Sequence, residues 1–362
     1  MTAVGDILEL SYGKALKGSD RDGGNVPVVG SGGIVGGHST GITDSPTIVV
    51  GRKGSIGSVT WIDGPAWPID TAYFVKPKRD DLDRRWAYWM LKSLRMETMN
   101  KSAAVPGLNR DDVYRLNVAL PPLPEQRRIA AILDHVDALR ARRSEQLAHL
   151  DALAQSIFIS LFGDGSSSRS KTTIVCLEDV VERITYGFTN PMSHVSAGIP
   201  IVTAKSVRNQ DIDLVGGAFT TRDEFNALTD KSRPRKGDVL ITKDGTIGRC
   251  AVVDTTEPFC INQSVAVVRP RQDLRPRYLV GYLTLSRVQR LMNGMGKGNA
   301  LKHLQITELA KFSIPVPAVE EQSRYESQMA IVNVHRAALR RSVVAGNELF
   351  ESLESRAFRG EL

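Results

Sequence analysis

The 362-residue chain is poor in cysteine and histidine, with three of the first and six of the second. Cys176, Cys250 and Cys260 form no C-x-x-C pair, and the histidines form no H-x-x-x-H pair. This argues against a disulfide framework, a zinc ribbon and any other protein metal site. So few cysteines fit a reducing compartment, and we expect a cytoplasmic protein.

Long apolar runs are missing as well. None reaches the roughly 20 residues that a membrane-spanning helix needs, and the first residues, Met1 to Asp6, do not have the pattern of a secretory signal. We therefore expect no membrane partner. Hydrophobic residues still make up 41% of the chain, so it can form buried cores and is not a disordered tail. Its length of 362 residues suits two or three compact units.

Motifs that carry chemistry are absent too. There is no G-x-x-x-x-G-K-[ST] loop for nucleotide phosphates. The string nearest to a base-flipping methyltransferase motif, Thr189–Met192, lacks the second proline and the aromatic residue. The pattern nearest to a metal nuclease, Asp238 and Lys243, has Ile241 in place of the second acid. We predict no catalytic residue, no bound cofactor and no metal in this chain.

The formal net charge of +7 is unevenly distributed. Residues 1–120 carry +2 and residues 173–317 carry +5, whereas the helix-forming segments 121–163 and 318–362 carry 0 and −1. This distribution favours a polyanion on the basic segments and protein packing on the neutral ones. A charge that only aids solubility fits the same numbers.

The second half of the chain repeats the first in the same order. The matching strings are Asp6-Ile7 with Asp179-Val180, Tyr12-Gly13 with Tyr186-Gly187, Pro27-Val28-Val29 with Pro200-Ile201-Val202, Lys53–Gly57 with Asp244–Gly248, Val118–Pro121 with Ile314–Pro317, and Glu125-Gln126 with Glu321-Gln322. The offset between the copies grows from 173 to 196 residues, so the second copy contains additional loop residues.

Each copy begins with short β-branched runs that are broken by glycine, proline and asparagine, which predicts strands joined by tight turns. Helical stretches follow, and a proline-rich segment then precedes a long helix. The fold class is α/β (α+β), with two domains in tandem. The predicted boundaries are 1–120 for the first domain, 121–163 for the first long helix, 164–172 for a flexible linker, 173–317 for the second domain and 318–362 for the second long helix.

Both long helices contain heptads, and both apolar seams are interrupted by arginine at the same step, Arg140 and Arg336. The first seam is Ile129, Leu133, Val136, Arg140, Arg143, Leu147, Leu150, Ala154, Ile157 and Leu161; the second is Tyr325, Met329, Val332, Arg336, Leu339, Val343, Gly346, Phe350, Leu353 and Ala357. Equal length and register favour an antiparallel coiled coil. The alternative is that each helix packs only on its own domain.

With these features the chain resembles the specificity subunit of a Type I restriction–modification system over almost its whole length. The most specific stretch is Leu120–Ile129, followed by a helix that ends Ser156–Gly163. The second copy departs from this pattern, because Glu320 stands where the first copy has Pro124. The resemblance implies two target-recognition domains that read the two halves of a split site in double-stranded DNA, where partner subunits methylate adenine and cleave.

The resemblance also implies partners. The paired helices would dock two methylation subunits, which recruit restriction subunits, and S-adenosylmethionine, ATP and magnesium would bind to those partners. Because the two helix starts are similar in sequence, we predict partner contacts there. The predicted partner-binding residues are Pro121, Glu125, Gln126, Arg128, Glu321 and Gln322. A helix surface that packs only on the other helix is the alternative.

Candidate DNA contacts cluster around two glycine turns, Gly54–Gly57 and Gly245–Gly248, where exposed N–H groups, a hydroxyl and a nearby cation suit a phosphate. Asparagine and lysine in neighbouring loops can read base edges. The predicted residues are Tyr12, Lys14, Lys17, Ser31, Arg52, Lys53, Ser55, Tyr186, Thr189, Asn190, Lys205, Lys243, Thr246, Lys297 and Asn299. Tight hairpins and solvated loops without any ligand would have the same composition.

The sequence is also compatible with two other functions. A single-chain DNA methyltransferase or nuclease would bind S-adenosylmethionine or cut DNA with a metal. A coiled-coil scaffold would not bind duplex DNA in a salt-sensitive way.

Overall fold

The computed structural model describes residues 1–44, 46–99, 107–164, 172–296 and 303–362. In the first half the strands are β1 (Thr2–Ala3), β2 (Leu8–Tyr12), β3 (Val26–Gly30), β4 (Gly33–His38), β5 (Thr47–Gly51), β6 (Val59–Ile62), β7 (Trp67–Pro68), β8 (Ala72–Pro77) and β9 (Asn117–Val118). The helices there are α1 (Val4–Ile7), α2 (Arg84–Ser93), α3 (Arg110–Tyr114) and α4 (Leu123–Phe162).

The second half follows the same plan with more strands. They are β10 (Thr173–Cys176), β11 (Val181–Tyr186), β12 (Ile199–Val202), β13 (Val207–Arg208), β14 (Asp211–Ile212), β15 (Ala218–Thr220), β16 (Val239–Thr242), β17 (Cys250–Val252), β18 (Cys260–Ile261), β19 (Val265–Pro270) and β20 (Ser313–Val316). Its helices are α5 (Arg222–Ala227), α6 (Pro276–Leu283), α7 (Ser286–Met295), α8 (Ile306–Ala310) and α9 (Val319–Arg359).

The repeat predicted from the sequence is confirmed by the sheet topology. Each half has a four-stranded central sheet, in the order β2-β8-β5-β6 or β11-β19-β16-β17. Each also has a three-stranded sheet, β4-β3-β7 or β15-β12-β18, in which one pair is parallel and the other antiparallel. A two-stranded ribbon, β1-β9 or β10-β20, joins the first strand of each half to the last.

The growing offset between the two copies has a structural explanation. The second half inserts a small hairpin, β13 with β14, between the strands that correspond to β3 and β4. It also has 18 residues, 221–238, where the first half has only the eight residues 39–46 between its corresponding strands. Both additions lie between strands, so the sheet order is unchanged.

Internal contacts divide the chain into two compact units, residues 1–145 with 340–362 and residues 146–339. In the first unit the α2 tryptophans Trp86 and Trp89 are fully buried. They pack in one core with Leu133 of α4 and with Phe350 of α9, whose ring lies 5.4 Å from that of Trp89. Each compact unit therefore combines one domain with a portion of both long helices.

The second unit is built in the same way around Phe158 of α4. Its ring lies 5.4 Å from Tyr278 of α6 and 5.3 Å from Tyr325 of α9. Gly281 makes this approach possible, because a Cβ there would lie 2.4 Å from the Tyr325 hydroxyl. Phe158 is 1% exposed and lies one residue away from the predicted seam position, Ile157.

The two long helices run antiparallel in each unit. In the first unit Arg143 bonds to the carbonyl of Ser342, and Arg140 bonds to Asn347. Earlier residues of α4 therefore contact later residues of α9, as antiparallel helices require. In the second unit Asp151 pairs with Arg336, while Phe158 meets Tyr325. The coiled-coil prediction is correct, and both helices also pack on both domains, which contradicts the alternative that each packs only on its own domain.

Both helices end at a glycine in the left-handed region, which favours residues without a Cβ. Gly163 has φ of 85° and donates its N–H to Ile159, and Gly360 has φ of 78°. No helix in the described ranges combines the length and apolar character needed to cross a membrane.

Candidate nucleic-acid interface

The predicted DNA contacts of the first domain meet where strand β2 ends. Tyr12, the last residue of that strand, is 52% exposed. The guanidinium carbons of Arg52 and Arg110 lie 5.0 and 4.9 Å from its ring centroid. The result is an exposed aromatic ring flanked by two cations, which suits contact with a nucleic-acid backbone and bases.

The second domain has a related arrangement at the corresponding strand end. Tyr186 ends β11, is 39% exposed, and has the Nζ of Lys243 5.5 Å from its ring centroid. Lys243 corresponds to Arg52 in the repeat, since each follows the strand that leads into a glycine turn. We call the end of each central sheet that holds Tyr12 or Tyr186 the loop end.

Glycine is required at the two Tyr-Gly pairs because the backbone comes very close to another segment of the chain. A Cβ on Gly13 would lie 2.1 Å from the carbonyl oxygen of Ile69, and one on Gly187 would lie 1.9 Å from that of Ile261. The chain can therefore leave each central strand and bond to the parallel strand pair of the same domain, since Lys14 donates its N–H to Pro68 and Phe188 donates its N–H to Ile261. These bonds hold the start of the loops after Tyr12 and Tyr186 at the loop end.

The two glycine turns also have a conformational basis. Gly54, Gly57, Gly245 and Gly248 all have φ between 71° and 86°, a region that favours glycine. The N–H groups of Gly57 and Gly248 donate to the carbonyls of Gly51 and Thr242, so those two amides are used inside the turn. Ser55 and Thr246, at the tips, are exposed.

The charges on the two turns differ. In the first domain, Arg52 is partly buried and Lys53 is exposed. In the second domain Lys53 is replaced by Asp244, whose carboxylate lies 2.6 Å from the Nζ of Lys243 and 2.9 Å from Nδ1 of His303. The predicted DNA-binding charge of Lys243 is therefore partly compensated inside the protein, and the first turn is the more basic one.

The remaining candidates of the first domain lie close to this cluster. Ser31 lies beside the turn, because the hydroxyl of Ser58 donates both to its carbonyl and, at 3.1 Å, to that of Ser55. Lys14 is exposed, with its Nζ 6.0 Å from the centroid of the Trp67 ring. The side chain of Lys17 is also exposed.

In the second domain, Ser264 connects two of the predicted loops. Its hydroxyl accepts from the N–H of Ala204, beside Lys205, and its carbonyl accepts from the N–H of Lys243. Thr189 and Asn190 are exposed in the loop that follows Tyr186. The other two candidates, Lys297 and Asn299, lie outside the described residues.

Sequence reasoning missed two members of the first cluster. Arg110 begins α3, directly after its N-cap Asn109, and nothing in its local pattern marks it as a contact. Tyr73 pairs with Tyr12 across β2 and β8, with ring centroids 5.2 Å apart. Burial raises the pKa of Tyr73 to about 12, so its hydroxyl stays protonated and donates to the carbonyl of Leu108.

The structure corrects the partner contacts predicted for Gln126 and Gln322, which are 1% and 0% exposed. Gln126 accepts from the N–H of Asp83 and donates to the carbonyls of Asp81 and Pro121, all at 2.8 to 2.9 Å. Gln322 makes the corresponding three bonds in the second unit, at 2.7 to 2.9 Å. Each glutamine clamps a long helix to its own domain and has no atom left for a partner.

Other residues at the helix starts are accessible. Arg128 donates two hydrogen bonds to Glu125, at 2.7 and 2.9 Å, and these bonds lower the pKa of the Glu125 carboxyl. Glu321 is exposed at the start of α9, and Pro121 is partly exposed before α4. Within the described ranges, no cluster of three or more metal-binding side chains occurs.

Comparison with known proteins connects this geometry to a family. The family model for the Type I restriction modification DNA specificity domain matches residues 1–149 and 170–330. The specificity subunit of the type I restriction enzyme EcoBI from Escherichia coli is 24% identical over 348 residues, which cover 87% of this chain and 73% of that protein. A putative type I restriction enzyme specificity subunit of Haemophilus influenzae, S.HindORF215P, is 24% identical over 326 residues, 87% of this chain and 82% of that protein.

Solved structures show the same fold. The S subunit of a Type-I restriction-modification system from M. genitalium superimposes with a TM-score of 0.66 at 16% identity, covering 98% of this chain and 95% of that one. A chain from a study of complex assembly and conformational transition of the type I R-M system gives a TM-score of 0.50 at 17% identity, with 100% and 97% covered.

Proposed function

The chain belongs to the family of Type I restriction–modification DNA specificity subunits, and from this premise we propose that it reads a split, asymmetric DNA site. It is the DNA-recognition subunit of its system, works in a complex with other subunits, and is not itself the enzyme. This membership decides against the two alternatives, a single-chain methyltransferase or nuclease and a scaffold without a DNA role.

The observation that carries the proposal is the pair of loop ends. Both domains place an exposed tyrosine beside a cation and a glycine turn, on sheets of identical strand order. Their chemistry differs, because Arg52 and Lys53 in one domain correspond to Lys243 and Asp244 in the other. Two related recognition domains with different contacts would bind two different half-sites. The whole site would therefore be split and asymmetric.

Arginine beside an exposed ring suits duplex DNA in two ways. The guanidinium of Arg52 can donate to phosphate oxygens or bidentately to guanine. The ring of Tyr12 holds both Arg52 and Arg110 in place through cation–π contact. The tips at Ser55 and Thr246 would add hydroxyl and amide donors to the backbone. We assign the other exposed candidates to the same interface.

The chemistry would then come from partner subunits. Two similar helix starts, at Glu125 and Glu321, would dock two methylation subunits on surfaces related by the internal repeat. We place S-adenosylmethionine, ATP and magnesium on the methylation and restriction subunits, adenine as the methylated base, and the complex in the cytoplasm. Each of these assignments rests on family membership and on the repeated helix starts.

Mapping methylated adenines in the host genome, with and without this gene, tests the proposal. We expect a gene-dependent motif of two short, unlike half-sites separated by unread bases. A continuous palindrome would contradict two independent readers. Methyl transfer from S-adenosylmethionine to DNA by the purified chain alone would overturn the whole assignment.

A variant of the first loop end gives a sharper test. Arg52→Gln with Arg110→Gln should lower affinity for a duplex carrying the motif at least tenfold, since a base-contacting arginine is worth about 1–3 kcal/mol. The loss should be confined to one half-site when each half is scrambled in turn. Arg142→Gln with Arg341→Gln removes two exposed charges from the helices and should leave DNA affinity within about twofold. Equal losses for the two variants would mean that overall charge, not the loop end, binds DNA.

A further inference from the structure

The second domain has a basic cleft at the end of its central sheet opposite the loop end. The cleft has a volume of about 380 Å³. Its lining includes five cations, Arg235, Lys236, Arg269, Arg271 and Arg275, and two acids, Glu182 and Asp238. The family resemblance and the predicted DNA contacts do not account for this excess of positive charge.

Some of these cations are already paired and serve to hold the cleft in shape. Arg269 donates two hydrogen bonds to Asp238, at 2.7 and 2.8 Å, and Asp238 is 1% exposed. Arg235 bonds to Asp230 at 2.6 Å. Arg271 donates to the backbone carbonyl of Asp179. The walls of the cleft are therefore fixed by internal bonds before any ligand binds.

Two other cations are available. The side chains of Lys236 and Arg275 are exposed and make no hydrogen bond or ion pair with the described part of the chain. The backbone N–H of Arg275 is held by Gln322, so the position of this residue is set by the same clamp that anchors α9. Two unpaired cations on fixed walls can bind an anion, and only their own side chains must then become ordered.

The basic character is stronger in the second domain than in the first. The segment Lys231–Lys236 contains four cations in six residues, within the long insertion 221–238. The corresponding segment of the first domain, 39–46, contains none. The equivalent cleft there, lined by Asp44, Lys76 and Arg84 among others, has a volume of only about 80 Å³.

Position separates this cleft from base reading. Val239 pairs with Val268 beside the cleft, and Thr242 pairs with Val265 at the loop end. The cleft is therefore about 15 Å from Lys243 along the strands, too far to share a base pair with it. A ligand at this distance from the recognised bases should be an anionic group that is present at every nucleotide, whatever the sequence. In DNA that group is the phosphate.

We propose that this cleft binds a phosphate group of duplex DNA outside the bases that the second loop end reads. The inference rests on the proposed DNA-binding function, because DNA is the polyanion that the family recognises. It adds a contact that strengthens binding without specifying sequence, and it makes the second domain depend more on flanking DNA than the first. A free nucleotide or pyrophosphate offers the same chemistry from another source.

The test compares the full chain with Lys236→Gln/Arg275→Gln and with the charge-matched control Arg142→Gln/Arg341→Gln. Each is titrated at several salt concentrations with a duplex that carries the methylated motif, with and without ten flanking base pairs beside the half-site of the second domain. Loss of one or two phosphate contacts should reduce the salt slope by about 0.9 for each contact. We expect the wild type and the control to gain affinity from the flank and the cleft variant to lose that gain, with its base preference unchanged.

Other outcomes would overturn the proposal. An unchanged flank effect in the cleft variant would exclude a DNA phosphate, and a changed base preference would make the cleft part of base reading. Calorimetric titration with pyrophosphate in the absence of DNA tests for a free ligand. If only the cleft variant lost pyrophosphate binding, and the flanking DNA had no effect on any protein, the ligand of the cleft would be a free nucleotide and not DNA. Weakened assembly with partner subunits at unchanged DNA affinity would assign the cleft to an acidic protein surface. If even the wild type failed to bind duplex, the proposed function itself would be wrong, which is a distinct result.

Discussion

The guanidinium Nη2 of Arg336 on α9 lies 2.6 Å from the carboxylate of Asp151 on α4, inside the second compact unit. Arg336 is 2% exposed, and its Nη1 also bonds to Gln210 and Asn333 at 3.3 and 3.4 Å. The arginine that interrupts the apolar seam is thus a buried charge with a partner on the opposite helix. A polar contact of this kind specifies register more than it adds stability.

A double-mutant cycle on this pair should show strong coupling. Asp151→Ala leaves the buried guanidinium of Arg336 without its counter-charge and should lower the free energy of unfolding by roughly 1–3 kcal/mol. Arg336→Met combined with Asp151→Ala should recover most of that loss, because an apolar seam needs no counter-charge. Urea unfolding of the four proteins measures the coupling. Additive effects would mean that the two side chains do not interact.

The buried glutamines give a second prediction. Gln126→Ala leaves one N–H and two carbonyls without partners, so the first unit should lose roughly 1–3 kcal/mol for each group that stays unpaired. Hydrogen exchange should rise first around Asp81 and Asp83. Gln322→Ala should do the same around Asp273 in the second unit, and Gln328→Ala, exposed on α9, is the control. Unchanged stability with weaker partner binding would restore the original prediction of a surface contact.

Glu354 predicts a pH dependence of stability. Burial raises the pKa of its carboxyl above the ordinary 4.5, and Arg95, 3.4 Å away, opposes the shift only partly. Because the folded state holds the proton more tightly than the unfolded state, stability should fall as pH rises from the ordinary pKa through the raised one. Glu354→Gln should therefore be more stable than wild type at pH 8, with a smaller difference at pH 4.

Thermal melts of both proteins across that range measure this effect. Glu348→Gln, on the exposed face of the same helix, should stay within about 0.5 kcal/mol of wild type throughout. A Glu354→Gln variant that was less stable at pH 8 would show that the pair with Arg95 outweighs the burial of the carboxylate.

Domain exchange tests whether the two readers are independent. Replacing residues 173–317 with the matching domain of a relative should change one half of the methylated motif and leave the other half intact. Each domain has its own sheets and its own loop end, so readout at one should not depend on the other. Methylation mapping gives the result directly, and simultaneous change of both halves would refute independent reading.

The start of α4 allows a charge swap that preserves its local ion pair. Glu125→Arg with Arg128→Glu keeps a pair at the same spacing while it reverses both charges on the surface. We expect weaker binding of the methylation subunit, measured by calorimetry, with unchanged DNA binding by the chain. If partner affinity were also unchanged, this surface would not be the docking site, and the helices would serve only to pair with each other.

Features that depend on local pattern could be predicted from the sequence. The repeat survives in short strings such as Tyr12-Gly13 and Tyr186-Gly187, and heptads reveal the helix seam because burial on a helix recurs every three or four residues. The seam positions from Tyr325 to Ala357 are all buried or partly buried. Arg140 and Arg336 were recognisable as interruptions, although their partners were not.

Features that depend on distant segments were decided only by the tertiary structure. Gln126 looks like a surface residue in sequence, since glutamine is usually exposed, and only the carbonyls that the fold brings to it explain its burial. Arg110 joins Tyr12 across about 100 residues of chain, and His303 lies 2.9 Å from the Asp244 carboxylate although about 60 residues separate them. Sequence by itself determined which segments are strands and long helices, because that information repeats along the chain. Which polar groups face solvent and which are paired was set by contacts between segments, and spacing along the chain does not encode those contacts.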